Sequence, residues 1–160
     1  MKIVSGGQTG VDRAALDAAI EMGVAYGGWC PKGGWAEDLP NPPGLLALYD
    51  RLRGTPLADP LQRTEWNVRD ADRLLVLLDR RGLISRGTEL AVLHARALGR
   101  PVLLLDLDEV GEMARAAAWF QECEERGLAL CIAGPRESEA PGIYAKAKPF
   151  LCAVLAGARK

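Results

Sequence analysis

The sequence predicts a Rossmann-like, doubly wound α/β fold: a mainly parallel sheet with helices on both faces. Three observations predict it. Short segments such as 74–78 and 101–105 are continuously apolar, the pattern of strands buried on both faces rather than one. They alternate with segments of helical period, as in βαβ units. The chain also opens on a strand, 2–4, that runs straight into Ser5-Gly6-Gly7-Gln8-Thr9-Gly10 and a helix start.

The elements follow in order. Val11, Ala14, Ala15, Ala18, Ala19 and Met22 form an apolar stripe at helical spacing, so 11–22 is predicted as a helix ended by Gly23. Its small residues allow close packing on a sheet. Residues 24–30 read as a second strand. Residues 31–60 are rich in Pro and Gly without a clean period, and read as a long irregular excursion of the kind that often carries function. Within it, 45–52 fits either a strand or a short helical piece. Beyond it a helix is expected over 61–72, a strand over 73–78 and a helix over 87–98 ended by Gly99. A strand over 101–105, a helix over 108–126, a strand over 128–133 and a last helix over 143–155 complete the pattern. No repeat, low-complexity tract or internal linker interrupts 1–160, which reads as a single domain.

Composition narrows the function. A formal net charge of −1 argues against a protein whose main task is binding nucleic acid or a membrane surface. No apolar run reaches the ~18 residues of a spanning helix, and the chain starts on a strand without signal-peptide character, so a cytoplasmic location is expected. Cys30, Cys123, Cys131 and Cys152 include no C-x-x-C pair. They read as reduced thiols rather than a zinc site.

In doubly wound sheets ligands bind beyond the carboxyl ends of the strands, where strand order switches. The loops after the strands therefore hold the candidate residues. Gly6, Gly7, Gln8, Thr9 and Gly10 follow the first strand and lead to Asp12 and Arg13. A glycine-rich turn lets the backbone approach a ligand, and the free N–H groups of a helix start favour a phosphate. The turn departs from G-x-G-x-x-G because Ser5 stands in the first glycine position. The second strand ends in Cys30 and Lys32, not in the acidic residue that holds a ribose hydroxyl, so an NAD dehydrogenase is disfavoured. No P-loop string occurs either. Thr9 and Asp12 also fit a capping box, with Thr9 as the N-cap, and Arg13 has Asp17 as an alternative partner one turn on.

Lys32 in the second loop is a candidate cation. After the strand at 73–78 come Asp79, Arg80 and Arg81, which read as a solvated loop, and then Ser85-Arg86-Gly87-Thr88 opening a helix. Ser85 or Thr88 can cap it, and Arg86 can neutralise a phosphate. Glu89, in the first helical turn, suits a general base or a ribose-hydroxyl acceptor, or complements the helix dipole alone. After the last strand come Gly134-Pro135-Arg136-Glu137-Ser138, in which Arg136 is a natural oxyanion clamp. Arg63, Thr64 and Asn67 are expected near the same cleft, and Trp29, Trp35 and Trp66 are candidates for stacking on a base or pterin. His94, the only histidine, reads as a boundary residue.

Taken in order, Ser5 to Asp17, Gly28-Trp29-Cys30-Pro31-Lys32-Gly33, Arg63-Thr64 with Asn67-Val68, Ser85-Arg86-Gly87-Thr88 and Ala133-Gly134-Pro135-Arg136-Glu137-Ser138 resemble the putative molybdenum carrier family. That family is a circularly permuted YpsA-like branch of the SLOG nucleotide-binding superfamily. The resemblance spans nearly the whole chain. It implies a Rossmann-like fold and a pocket for a nucleotide-like or pterin-phosphate ligand, with the molybdenum cofactor or a nucleotide as the bound molecule. The superfamily also includes lysine-decarboxylase-like phosphoribohydrolases, which share a P-G-G-x-G-T-x-x-E string. The string here, from Ser85 to Val92, lacks the proline and the double glycine, and its carboxylate, Glu89, directly follows Thr88.

The leading expectation is a protein that binds a small phosphorylated ligand. One alternative is a nucleoside-monophosphate phosphoribohydrolase assisted by Glu89 or Asp12, and another is a nucleotide-sensing regulator acting as a homo-oligomer.

Overall fold

The computed structural model describes residues 1–82 and 84–158. Its element order is β1 (Lys2–Val4), α1 (Val11–Glu21), β2 (Ala25–Cys30), a 3₁₀ turn (Lys32–Gly34), α2 (Leu45–Leu48), β3 (Leu52–Gly54), α3 (Pro60–Arg69), β4 (Arg73–Leu78), α4 (Arg86–Ala97), β5 (Val102–Asp106), α5 (Glu112–Glu125), β6 (Ala129–Ala133) and α6 (Ile143–Ala158). The strands form one six-stranded sheet in the order β3-β2-β1-β6-β4-β5. All five pairings are parallel. This is the expected Rossmann-like α/β architecture, and no helix among the described residues is long and apolar enough to cross a membrane.

Residue alternation along the strands sorts the core into two layers. Ile3, Leu75, Leu77, Leu130 and Ile132 pack with α1, α5 and α6, including Ala14, Ala18, Phe120, Ala147 and Leu151. Val4, Leu74, Val76, Leu78 and Cys131 pack with Val68 of α3 and Ala91, Val92 and Ala95 of α4. Strands β1, β4, β5 and β6 are therefore apolar on both faces, which is why period-2 alternation is missing from their sequence. A smaller cluster of Leu16, Cys30, Ala36, Leu45, Tyr49 and Leu52 anchors the excursion after β2 to the sheet edge.

Several boundaries differ from the sequence reading for local reasons. The segment 45–52 is a helical turn followed by the start of a sixth strand, β3, which pairs with β2 from Gly28 to Cys30. The helix expected from residue 108 begins at Glu112, because Asp106 accepts from the Asp108 amide at 2.9 Å and shapes a turn. Asp108 itself is held by Lys146 and by the Arg80 amide, which keep its carboxyl down at about 2. Asp79 is buried rather than solvated, and its carboxylate accepts from the Arg81 guanidinium.

Caps set two helix starts near the site. Ser85 Oγ accepts from the Thr88 amide at 3.2 Å at the head of α4. Asp59 Oδ1 accepts from the Leu61 amide at 2.9 Å, with Pro60 in the first turn of α3. Asp59→Ala is expected to cost about 1 kcal/mol, read as a lower denaturation midpoint. An unchanged midpoint would show that Pro60 alone sets the start.

Candidate functional site

The chain builds outward from β1 to β3, returns to lay β4 and β5 on the other side, and finally inserts β6 between β1 and β4. The loops after β1, β6 and β4 thus meet at one carboxyl edge, the position where open α/β sheets bind ligands. They enclose a cleft of about 50 Å³ lined by Gly6, Gln8, Asp12, Ser85, Gly87, Thr88, Gly134 and Arg136, together with Arg63, Thr64 and Asn67 of α3.

Arg63 lies in this cleft at 8% exposure and Asp12 at 7%. Arg63 Nη1 donates to Asp12 Oδ2 at 2.9 Å, and Nε to the Pro60 carbonyl at 3.4 Å. Burial pushes the Asp12 carboxyl above its ordinary value. The Arg63 guanidinium and the Gln8 amide pull the other way without overcoming it. Asn67 ties α3 to β2, its Oδ1 accepting from the Trp29 amide at 2.8 Å and its Nδ2 donating to the Trp29 carbonyl at 2.9 Å. That clamp fixes the helix from which Arg63 projects.

The β1–α1 turn behaves differently from the sequence expectation. Its N-cap is Gly10, with no side-chain cap, so Thr9 and Asp12 do not form a capping box. The Val11 amide donates to the Pro135 carbonyl at 3.3 Å, the Thr9 amide to Gln8 Oε1 at 3.0 Å, and the Gln8 amide to Asp12. These donors are already used within the protein. Close approach at the glycines is likewise internal. A Cβ at Gly6 would lie 2.1 Å from Arg63 Nη1, and one at Gly10 would lie 2.3 Å from the Pro135 carbonyl oxygen.

The remaining turn residues face a second cavity of about 660 Å³, lined by Thr9, Gly10, Arg13, Asp17, Glu37, Asp38, Tyr49, Glu137, Ser138 and Tyr144. Arg13 donates to both oxygens of Asp38, at 3.0 and 2.9 Å, and its Nε to the Gly7 carbonyl, so Asp17 is not its partner. Asp17 accepts instead from the phenols of Tyr49 and Tyr144. Glu37 accepts from Thr9 Oγ1, from the Ser138 amide at 3.2 Å and from Ser138 Oγ at 2.6 Å. Glu137 accepts from the Gly142 and Tyr144 amides at the head of α6. Thr9, Glu137 and Ser138 are thus engaged by the protein's own groups. The strap carrying Glu37 and Asp38 was not singled out in the sequence; two carboxylates inside a Pro- and Gly-rich excursion were the available signal.

Gly7, Lys32, Arg86 and Glu89 line neither cavity. Gly7 is buried against Leu45 and Leu52. Lys32 sits on the far side of the excursion with Trp35, Pro40 and Pro60, so the loop after β2 does not reach the cleft. Arg86 and Glu89 are exposed at the head of α4. Trp29 and Trp66 pack edge to face with centroids 4.7 Å apart, and Trp29 Nε1 donates to Asp70. Among the described residues, no tryptophan lines the cleft. His94 faces Glu65 at 3.1 Å. Arg136 keeps its guanidinium nearly free, 3.9 Å from Glu139.

Comparison with known proteins gives two matches. The model of the circularly permutated YpsA SLOG family matches residues 3–155. A crystal structure from Syntrophus aciditrophicus, of a protein named "putative molybdenum carrier protein", is similar with a TM-score of 0.81 and 38% identity; the match covers 96% of this chain and 93% of that one. No curated protein matches the chain.

Proposed function

Because the chain belongs to the circularly permutated YpsA SLOG family, we propose that it binds a small phosphorylated ligand, of nucleotide or pterin type, by its anionic group in the cleft between β1, β6 and β4. One observation carries this reading: Arg63 of α3 and Arg136 after β6 face the same cleft beside the N-terminal turn of α4. Two guanidinium groups and a helix start are an oxyanion's natural partners. The room inside suits a phosphate-sized group, well below the few hundred Å³ of a pocket that swallows a whole ligand. The base or pterin then lies across the open mouth.

The donor chemistry also bears on the carrier name of the Syntrophus protein. Among the described residues no group of three or more His, Cys, Asp and Glu is placed to hold a metal ion. A molybdenum-bearing cargo would therefore be gripped through the oxygens of an anion rather than through side chains on the metal. Glu89 is exposed outside the cleft, so a glycosidic-cleavage reading would have to rely on Asp12, which pairs with Arg63 there. We take the protein to act in the cytoplasm, where its four free cysteines stay reduced.

Thermal denaturation with AMP, GMP and molybdopterin tests the proposal. A ligand at ~100 times its Kd should add about 2.7 kcal/mol of stability. If none of these compounds raises the melting temperature, the proposal fails. Arg136→Ala is expected to weaken binding about tenfold or more with little change in the melting temperature of the free protein, since Arg136 is one-third exposed and loosely held. Unchanged affinity would remove Arg136 from the site.

A further inference from the structure

We infer that the cleft admits its oxyanion only together with one proton, shared between the Asp12 carboxyl and the ligand, and so prefers anions that bring a proton, as phosphate does, over fully ionised ones such as sulfate. This rests on the preceding reading that the cleft holds an oxyanion, and adds which kind.

The geometry imposes the condition. Asp12 Oδ2 and an incoming anion compete for one guanidinium, because Arg63 Nη1 is already 2.9 Å from Asp12. Both side chains are about nine-tenths buried, so water screens the new neighbour poorly. The groups around Asp12 are few. Arg63 comes from α3. The Gln8 amide comes from the turn. Arg13, on α1, is turned away onto Asp38 and the Gly7 carbonyl. Cys131 of β6 presents a thiol that burial keeps neutral. Arg136 lies across the cleft, and Ser85 and Thr88 of α4 contribute only hydroxyls. Two arginines thus face a carboxylate and a dianion, and without a proton an oxygen of each would meet lone pair to lone pair. A single proton between carboxyl and ligand turns that repulsion into a hydrogen bond, and burial of Asp12 favours its uptake.

Hydrogen phosphate carries this proton into the site, and its remaining oxygens stay available to the arginines. Sulfate carries none near neutral pH, so the proton must be drawn from solvent onto Asp12, at a cost that grows with pH. A phosphate monoester, whose second ionisation falls near pH 6, should bind well at pH 6 and more weakly at pH 8.

The test is calorimetric titration of the whole chain with inorganic phosphate and with sulfate at pH 6 and pH 8. Phosphate is expected to bind about tenfold or more tightly than sulfate at pH 8, and sulfate to lose about tenfold or more between pH 6 and pH 8. In Asp12→Asn the two anions should bind within about threefold of each other, with the pH dependence of sulfate gone. Equal, pH-independent affinities in the unaltered protein would overturn the inference while leaving the cleft an anion site. Absence of binding by either anion at pH 6 would overturn both. The comparison of anions in the unaltered protein decides the matter even if the variant does not fold.

Discussion

Arg63→Ala is expected to lower folding stability by about 3–5 kcal/mol and to abolish oxyanion binding. The stability loss comes less from the removed contact than from what stays behind: Asp12, at 7% exposure, loses the guanidinium bonded to it. A buried charge stripped of its partner typically costs that much. The double variant Arg63→Ala with Asp12→Asn should recover most of the stability, because no charge is then stranded, but it should not recover binding. The pH profile adds a further check. Asp12 titrates above its ordinary value in the folded chain, so the folded state holds the proton more tightly than the unfolded state. That contribution is fully present below the ordinary carboxylate value and is lost as pH rises through the raised one. Arg63→Ala should therefore be least destabilised in mild acid. Urea denaturation at pH 5 and pH 8 measures this; a loss under about 1 kcal/mol at both would mean that Asp12 finds another partner.

Gly10→Ala is the second large effect, expected at about 3 kcal/mol or more. Gly10 has φ 78° and ψ −130°, a conformation open to glycine and strained for any L side chain by about 1–3 kcal/mol. The added Cβ would also stand 2.3 Å from the Pro135 oxygen and 2.9 Å from the Glu137 nitrogen. Those atoms are backbone and do not step aside cheaply, so overpacking adds to the backbone strain. Because the displaced segment carries Arg136, anion affinity should fall together with the melting temperature. A variant with unchanged melting and affinity would show that the 135–137 loop is free to move.

These two positions show how the site is assembled. Gly10 was legible in the sequence as a glycine that the turn required, but its neighbour is the β6 loop, not a ligand. Arg63 and Asn67 were visible only as polar residues on a helix expected near the cleft. Their roles, one paired with Asp12 and one clamped on Trp29, depend on α3 crossing behind β2. Lys32 and Arg86 illustrate the converse: each follows or precedes the right element, yet neither lines the cleft. A residue's place at a strand end is local information, whereas the direction its side chain takes is not.

What the sequence determined by itself was the layering. Apolar runs at 74–78 and 128–133, too short for buried helices and separated by segments of helical period, point to strands covered on both faces. That layering also points to the carboxyl edge as the place to look for a site. What only the tertiary structure decided was which polar groups remain free there. Insertion of β6 between β1 and β4 brings the Pro135 carbonyl onto the Val11 amide, and packing of α3 brings Arg63 onto Asp12. Hydrogen-bond donors are used up by whatever neighbour the strand order supplies, and strand order is set by packing across the whole domain rather than by any segment of it.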